Sequence, residues 1–287
     1  MSRTGAAVAV AAFVAVGAAA VYWVPGLLNG DRQRVPTETC TVTQDDIGHS
    51  LTAEQADNAA LIAAVGSREG FGVGGITVAL ATAIQESSLR NLDYGDRDSL
   101  GLFQQRPSQG WGSAEQIADP YYSTATFYAA LLRVDGWEGL AVTDAAQAVQ
   151  RSGFPFAYAD HEVEARAWAL AFTGGGGLIT CSVAGPPVAT PQQFADRLAA
   201  DFGTGVNAVD VVGTEGDATI LGVRPGADSP EARHALSAWA IATASVTGVT
   251  WVEGDAGVVA TDGSVTSIDP AAALQDYAGI RVAVATR

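Results

Sequence analysis

An apolar, alanine-rich run that ends in one carboxylate is the feature that most constrains this chain. Within Ile76–Gln109, the side chains of Ile76, Leu80 and Ile84 share one stripe only at helical spacing. Glu86 then falls in the last turn of a helix too apolar to lie in solvent. A carboxyl group in that place is partly desolvated, which suits a proton donor near neutral pH. A surface glutamate at a fraying helix end is the simpler alternative, and the residues after Glu86 decide against it.

Two short motifs follow one another at this helix end. Glu86-Ser87 closes the helix, an acidic loop follows, and the near-apolar tetrad Gly101-Leu102-Phe103-Gln104 comes next. This pairing resembles the soluble-lytic-transglycosylase branch of the lysozyme superfamily over about half the chain, from Leu51 to Phe172. Phe103 stands where the family usually has methionine. The resemblance implies that Glu86 is the catalytic acid and that the cleft is lined by Ser87, Gly101, Leu102, Phe103 and Gln104.

The third motif of that family, an Ala-Tyr-Asn segment, has no counterpart that we identify downstream. The nearest stretch, Ala148–Ser152, contains no tyrosine. The groups that hold the sugar and the glutamate from that side of the cleft are therefore not assigned from the sequence.

The resemblance implies cleavage of the β-1,4 bond between N-acetylmuramic acid and N-acetylglucosamine in peptidoglycan. In a lytic transglycosylase, Glu86 would act first as acid and then as base; in a lysozyme-type enzyme, water would attack instead. The alternative from another class is a catalytically silent wall-binding or envelope-assembly protein with a lysozyme-like domain. The expected partners are peptidoglycan glycan strands and, through the N-terminal helix, the membrane; the sequence does not identify a protein partner.

Between the two motifs lies a loop that carries Asp93, Asp96 and Asp98. Three carboxylates could bind calcium, but the glycine and bidentate glutamate spacing of an EF-hand is absent, so solvated turn residues are favoured. Asp96 or Asp98 could instead provide a second carboxylate across the cleft, and we include Asp98 among the candidate substrate-binding residues. Trp111 either stacks on a sugar ring or fills the core.

Composition disfavours several functions. The formal net charge is −16, with only 15 lysine and arginine residues, which disfavours a nucleic-acid partner. No Cys-x-x-Cys or histidine-rich spacing supports a metal site, and we expect no cofactor. An acidic protein must hold a sugar polymer by hydrogen bonds and ring stacking.

The N-terminal segment determines where the chain resides. Residues 5–24 form an uncharged, mostly apolar run about 20 residues long, enough for a helix to cross a bilayer. We favour an uncleaved single-pass anchor at 1–28 over a cleaved signal peptide, which would give a secreted protein. Cys40 and Cys181 are the only cysteines, and a disulfide between them is favoured over two buried thiols. Such a bond belongs outside the cytoplasm, so we expect the folded part to be extracytoplasmic.

The order of patterns predicts a multidomain protein. The expected fold is a mainly α lysozyme-like domain plus a small α+β C-terminal domain, preceded by an N-terminal transmembrane helix. Helical starts are predicted at Thr52 and Thr190, each a cap with glutamine three residues later. The predicted boundaries are an anchor at 1–28, a tether at 29–50, the lysozyme-like domain at 51–182, a linker at 183–189 and the α+β domain at 190–287.

Overall fold

A computed structural model describes residues 38–154, 156–204, 207–255, 257–266 and 279–286. The predicted anchor at 1–28 and the first part of the predicted tether lie outside the described residues. Among the residues that are described, no helix is long and apolar enough to cross a membrane.

The described chain contains both helices and strands. The helices are α1 (Ala53–Arg68), α2 (Val73–Ser87), α3 (Ala114–Ala118), α4 (Pro120–Leu131), α5 (Val142–Gln150), α6 (Glu162–Thr173), α7 (Pro191–Phe202), α8 (Pro230–Ala242) and α9 (Ala244–Thr247). Short 3-10 helices span Pro107–Gln109, Trp137–Gly139 and Ala157–His161. The strands are β1 (Thr39–Gln44), β2 (Ile47–Thr52), β3 (Leu178–Ser182), β4 (Ala208–Glu215), β5 (Ala218–Arg224), β6 (Val249–Gly254), β7 (Gly257–Ala260), β8 (Val265–Thr266) and β9 (Ile280–Ala285).

A three-stranded antiparallel sheet in the order β2-β1-β3 joins the start of the described chain to residues 178–182. Cys40 lies opposite Cys181 in the register of β1 and β3, and the predicted disulfide between them is confirmed. The bond closes a loop with a sequence separation of 141, for which the chain-entropy model gives about 5 kcal/mol of stabilisation. Strands β1 and β2 occupy the last part of the stretch predicted as a tether, and the predicted domain bounds stay a prediction.

The first two helices form the centre of the helical part. Thr52 caps α1 through the predicted capping box with Gln55. In α2, Ile76 and Leu80 are buried, as the helical spacing predicted. The helix packs against α6, α5 and α1, so its apolar surface is covered and its C-terminal end is fixed in place.

A six-stranded antiparallel sheet occupies the C-terminal part, in the order β4-β5-β9-β6-β7-β8. Thr190 caps α7 through the second predicted capping box, with Gln193. Between β5 and β6 the chain forms α8 and α9, and Trp239 of α8 is buried. The predicted mixture of strands and helices in this region is therefore observed.

The predicted mainly α fold class is wrong for the part of the chain that the structure describes. Among the described residues, about 47% are helical and about 23% are in strands, arranged in two antiparallel sheets, so the fold is not mainly α. The reason is local. In Thr39–Gln44, buried Cys40 and Val42 alternate with more exposed threonines. This period-two pattern is short and has polar flanks, so the sequence did not predict a strand there.

A buried polar cluster connects the helical part to α7 and α8. Asp201 of α7 is fully buried and accepts hydrogen bonds from the Tyr121 hydroxyl (2.6 Å), Arg197 Nε (2.9 Å) and Trp239 Nε1 (2.6 Å). Arg197 also pairs with Asp57 of α1 at 2.9 Å. Residues on both sides of 183–189 thus share one set of buried contacts, and the domain boundary placed there stays a prediction.

Candidate active site around Glu86

Glu86 lies in the last turn of α2 and is partly buried. The helix ends directly after it, because Ser88 and Leu89 both adopt positive φ angles, 54° and 55°. A left-handed residue at this place is the usual way in which a helix terminates. The carboxyl group is therefore held at the C-terminal end of a helix that packs against other helices, and not on a loop.

Tyr158 provides the main contact of the Glu86 carboxyl group. Its hydroxyl donates a hydrogen bond of 2.7 Å to Glu86 Oε1. The tyrosine is fully buried, and burial raises the pKa of its hydroxyl, with the Glu86 hydrogen bond and charge acting in the same direction. Tyr158 consequently remains a neutral donor that fixes one carboxyl oxygen and leaves the other, Oε2, free of hydrogen bonds among the described residues.

The tetrad 101–104 lies beside this helix end. The Ser87 hydroxyl donates to the Leu102 carbonyl at 2.7 Å and to the Ala83 carbonyl of its own helix at 3.0 Å. Ser87 is buried, so its role here is to connect the tetrad to α2. The two motifs that the sequence analysis paired are therefore in direct contact.

The side chains of Leu102 and Phe103 are fully buried. Phe103 stacks on Phe127 with ring centroids 4.5 Å apart. These two side chains belong to the core, and the predicted contact of Leu102 and Phe103 with substrate stays a prediction. Gly101 has a positive φ of 76°, and a Cβ there would lie 2.7 Å from the Ile117 carbonyl oxygen, which explains why glycine is needed.

Two glutamine side chains, one of them from the tetrad itself, hydrogen-bond to backbone carbonyls of the tetrad. Gln104 Nε2 donates to the carbonyls of Tyr94 and Gly101, both at 3.3 Å. Gln150, the last residue of α5, donates from Nε2 to the Phe103 carbonyl at 2.8 Å. The tetrad is thus fixed between the C-terminal ends of α2 and α5.

Asp98 is fully engaged within its own loop. Its carboxylate accepts from Arg106 Nε at 2.7 Å, and from the Ser108 amide and hydroxyl at 2.8 and 3.0 Å. These bonds, led by the one from Arg106, hold the pKa of Asp98 well below its ordinary value. Asp98 therefore closes the 98–108 loop through these hydrogen bonds. Its predicted contact with substrate stays a prediction.

Trp111 lines an open groove of about 600 Å³ beside the tetrad. The groove is lined by Gln109, Gly110, Trp111, Ala130, Arg133, Val134, Ala148, Val149, Gln150 and Arg151. Glu86 is not among these residues. Gln150 connects the two places, because it lines the groove and also bonds the Phe103 carbonyl.

Sequence reasoning missed Tyr158. The signal was present, since Ala157-Tyr158 matches two of the three residues of the Ala-Tyr-Asn motif, but it lies downstream of Ala148–Ser152 and lacks the asparagine. The Ser152 side chain acts in the opposite direction and lowers the pKa of the Tyr158 hydroxyl, but the effect of burial is larger. On the adjacent turn, the ring Nε2 of His161 lies 2.9 Å from Gln85 Oε1.

Within the described ranges, no group of three or more histidine, cysteine, aspartate or glutamate side chains is placed to hold a metal ion. The groups that the site presents are the Glu86 carboxyl group, the Tyr158 hydroxyl and the backbone carbonyls of the tetrad. No protein-family model matches the chain, and no curated protein gives a significant match.

Proposed function

We propose that this protein is a lytic transglycosylase of the lysozyme superfamily that cleaves the β-1,4 bond between N-acetylmuramic acid and N-acetylglucosamine in peptidoglycan. The observation that carries the proposal is the hydrogen bond from Tyr158 to Glu86 at the end of an apolar helix. A tyrosine that positions a partly buried carboxyl group is what a single acid and base requires. The contact of Ser87 with the tetrad backbone supports the same assignment.

The chemistry follows from one carboxyl group. Glu86, protonated on Oε2, gives its proton to the glycosidic oxygen while oxocarbenium character develops on the muramoyl ring. The leaving sugar departs, and Glu86 is left ionised. The carboxylate then removes the proton from the muramoyl 6-hydroxyl, which attacks the anomeric carbon and closes a 1,6-anhydro ring. Tyr158 stabilises the ionised form between these two steps, because its hydroxyl donates to Oε1 throughout.

We place this activity outside the cytoplasm, on a protein anchored in the membrane by residues 1–28, or secreted if that segment is cleaved. The disulfide between Cys40 and Cys181 supports an oxidising compartment. The glycan strands of the cell wall are the proposed partner.

A catalytically silent wall-binding or envelope-assembly protein is the second candidate. It is favoured by one observation: Glu86 does not line the groove that contains Trp111. In that case, the same helix-end geometry would stabilise the fold and bind glycan without turnover.

The deciding experiment incubates residues 38–287, which form one compact unit, with purified peptidoglycan sacculi. Products are identified by mass spectrometry, with Glu86→Gln as the matched control. We expect 1,6-anhydro muropeptides from the wild type and none from Glu86→Gln. Reducing ends in place of anhydro ends would assign lysozyme-type hydrolysis. Binding to sacculi without products from either protein would establish the silent alternative.

A further inference from the structure

The groove beside the tetrad has an unusual charge for this protein. We call it the arginine groove, because Arg133 and Arg151 both line it and no acidic side chain of the described part of the chain does. The whole chain carries 31 acidic residues against 15 basic ones. The local charge of the arginine groove is therefore opposite in sign to the net charge of the chain. Such a concave surface attracts anions locally.

Neither of these arginines has an acidic partner among the described residues. Ion pairs among the described residues involve Arg68, Arg97, Arg106, Arg166, Arg197, Arg224, Arg233 and Arg281. None of them includes Arg133 or Arg151. Arg133 uses its Nε to reach the Ala129 carbonyl at 2.9 Å, which leaves its terminal guanidinium nitrogens for another acceptor. A guanidinium group matches a carboxylate with two parallel hydrogen bonds.

The backbone at Arg151 strengthens this point. The residue terminates α5 with a φ of 53°, a left-handed conformation in which glycine is the common choice. An arginine there carries a conformational cost that glycine would not. Fold stability therefore gives no reason for the side chain beyond a favourable charge at the helix end.

The remaining lining suits a glycan. Trp111 offers a partly exposed indole ring, and Gln109 and Gln150 provide amide groups. Gln150 lines the groove and also donates to the Phe103 carbonyl of the tetrad, and the tetrad contacts the end of the Glu86 helix through Ser87.

We propose that the arginine groove binds the carboxylate groups of peptide stems on the glycan strand, with Arg133 and Arg151 as the carboxylate contacts and Trp111 as the sugar platform. This inference rests on the proposed function, since it places the substrate of that same site. It assigns a preference for stem-bearing peptidoglycan over neutral N-acetylglucosamine polymers.

The test is calorimetric titration of the full chain in detergent, carrying Glu86→Gln to prevent turnover. The probes are a disaccharide-tetrapeptide muropeptide, the same muropeptide with its carboxylates methyl-esterified, and neutral tri-N-acetylglucosamine. We expect esterification to weaken binding by at least about tenfold, roughly the loss of one charged hydrogen-bonded contact. We also expect the difference between the two muropeptides to shrink as salt is raised.

Variants locate the contact. Arg133→Gln and Arg151→Gly should each reduce the discrimination between free and esterified muropeptide severalfold, whereas Arg166→Gln, on an exposed helical ion pair, should not change it. Arg151→Gly is the sharpest variant, because its melting temperature should stay equal or rise while its discrimination falls. Equal affinity for the two muropeptides in the Glu86→Gln chain, or discrimination that survives both arginine variants, would overturn the proposal.

These outcomes are separable from the proposed function. Cleavage of sacculi by the wild type without carboxylate discrimination would refute the groove assignment and leave the enzyme intact. Carboxylate discrimination without cleavage would leave the groove assignment standing on a binding protein.

Discussion

At the scale of single residues, two buried tyrosines provide a matched pair. The Tyr158 hydroxyl donates to Glu86, and the Tyr128 hydroxyl donates to the Ile62 carbonyl at 3.0 Å. Both rings are fully buried, so each phenylalanine variant removes one hydrogen bond without opening a cavity. Only one of these bonds reaches the proposed general acid.

We therefore expect Tyr158→Phe to lower kcat on peptidoglycan by about tenfold to a hundredfold, a part of the ~10²–10⁴-fold that general acid–base catalysis supplies. Tyr128→Phe should leave kcat within about twofold. Both variants should lose about 1 kcal/mol in urea unfolding, the usual value of one hydrogen bond. Equal activity in the two variants would remove Tyr158 from the mechanism.

Asp98 gives a pH-dependent prediction at the same scale. Its folded-state pKa lies below its ordinary value of 3.8, because Arg106 and Ser108 stabilise the ionised form. The carboxylate contacts are therefore complete above about pH 4 and are lost as the pH falls through the folded-state pKa. Hydrogen exchange of the Ser108 amide, corrected for its intrinsic rate, should show protection above pH 4 that declines below it.

Asp98→Asn should reduce that protection across the whole pH range. Asp96→Asn is the control, because the Asp96–Arg97 pair spans 3.9 Å with both side chains exposed and contributes little. Protection of Ser108 that is unchanged by Asp98→Asn would mean that the loop is closed by other contacts.

The candidate site was predictable from sequence only where its residues are adjacent in the chain. Glu86 and the tetrad each form a short motif, and the structure brings them into contact through Ser87. Tyr158 lies 72 positions from Glu86, so nothing in local spacing connects the two. Arg133 and Arg151 come together only because α4 and α5 pack, which no pattern within either helix reveals.

At the scale of elements, the predictions were good where local chemistry fixes a boundary. The capping boxes at Thr52 and Thr190 start α1 and α7 as expected. The hairpin of β1 and β2 was missed, because its turn uses Asp45 and Asp46 at φ angles of 50° and 63°. Turns of that kind are usually announced by Asn-Gly or Asp-Gly, and this one contains no glycine.

The Asp201 cluster is the element-scale contact that we expect to matter most for stability. Its carboxylate is fully buried between α4, α7 and α8 and accepts three hydrogen bonds. Asp201→Asn keeps the shape of the side chain but removes the negative charge that pairs with Arg197. It also replaces one accepting oxygen by an NH2 group, which faces hydrogen-bond donors. We expect a loss of about 3 kcal/mol in the free energy of unfolding, typical of a broken buried pair.

Asp210→Asn is the control for that measurement, since the Asp210–Arg224 pair is exposed on both sides and should contribute about 1 kcal/mol or less. Urea denaturation followed by circular dichroism gives both values. A loss at Asp201 no larger than at Asp210 would show that the cluster is dispensable.

At the scale of the whole molecule, the helical part and the C-terminal part bury surface against each other. Helix α1 packs on α7 and α8, and α6 packs on α8. The side chains of Phe194 and Leu198 on α7 and of Trp239 on α8 are buried. Each large apolar side chain removed from water contributes about 1.5–3 kcal/mol, so the shared surface is comparable to the net stability of a typical domain.

A chain that stops at Ala189 should therefore not keep a stable Glu86 site. Truncation removes Arg197 and Asp201, leaves Asp57 and Tyr121 without their partners, and exposes the faces of α1 and α6 that α7 and α8 cover. We expect residues 38–189 to melt at least about 15 °C below residues 38–287, since a loss of about 1 kcal/mol lowers the melting temperature of a domain of this size by roughly 2–4 °C. We also expect the fragment to bind a hydrophobic dye and to lose activity on sacculi. The disulfide between Cys40 and Cys181 lies within the fragment, so its loss cannot explain the effect. A fragment as stable and as active as the longer chain would instead establish the helical part as an independent domain, with the six-stranded sheet as a separate module.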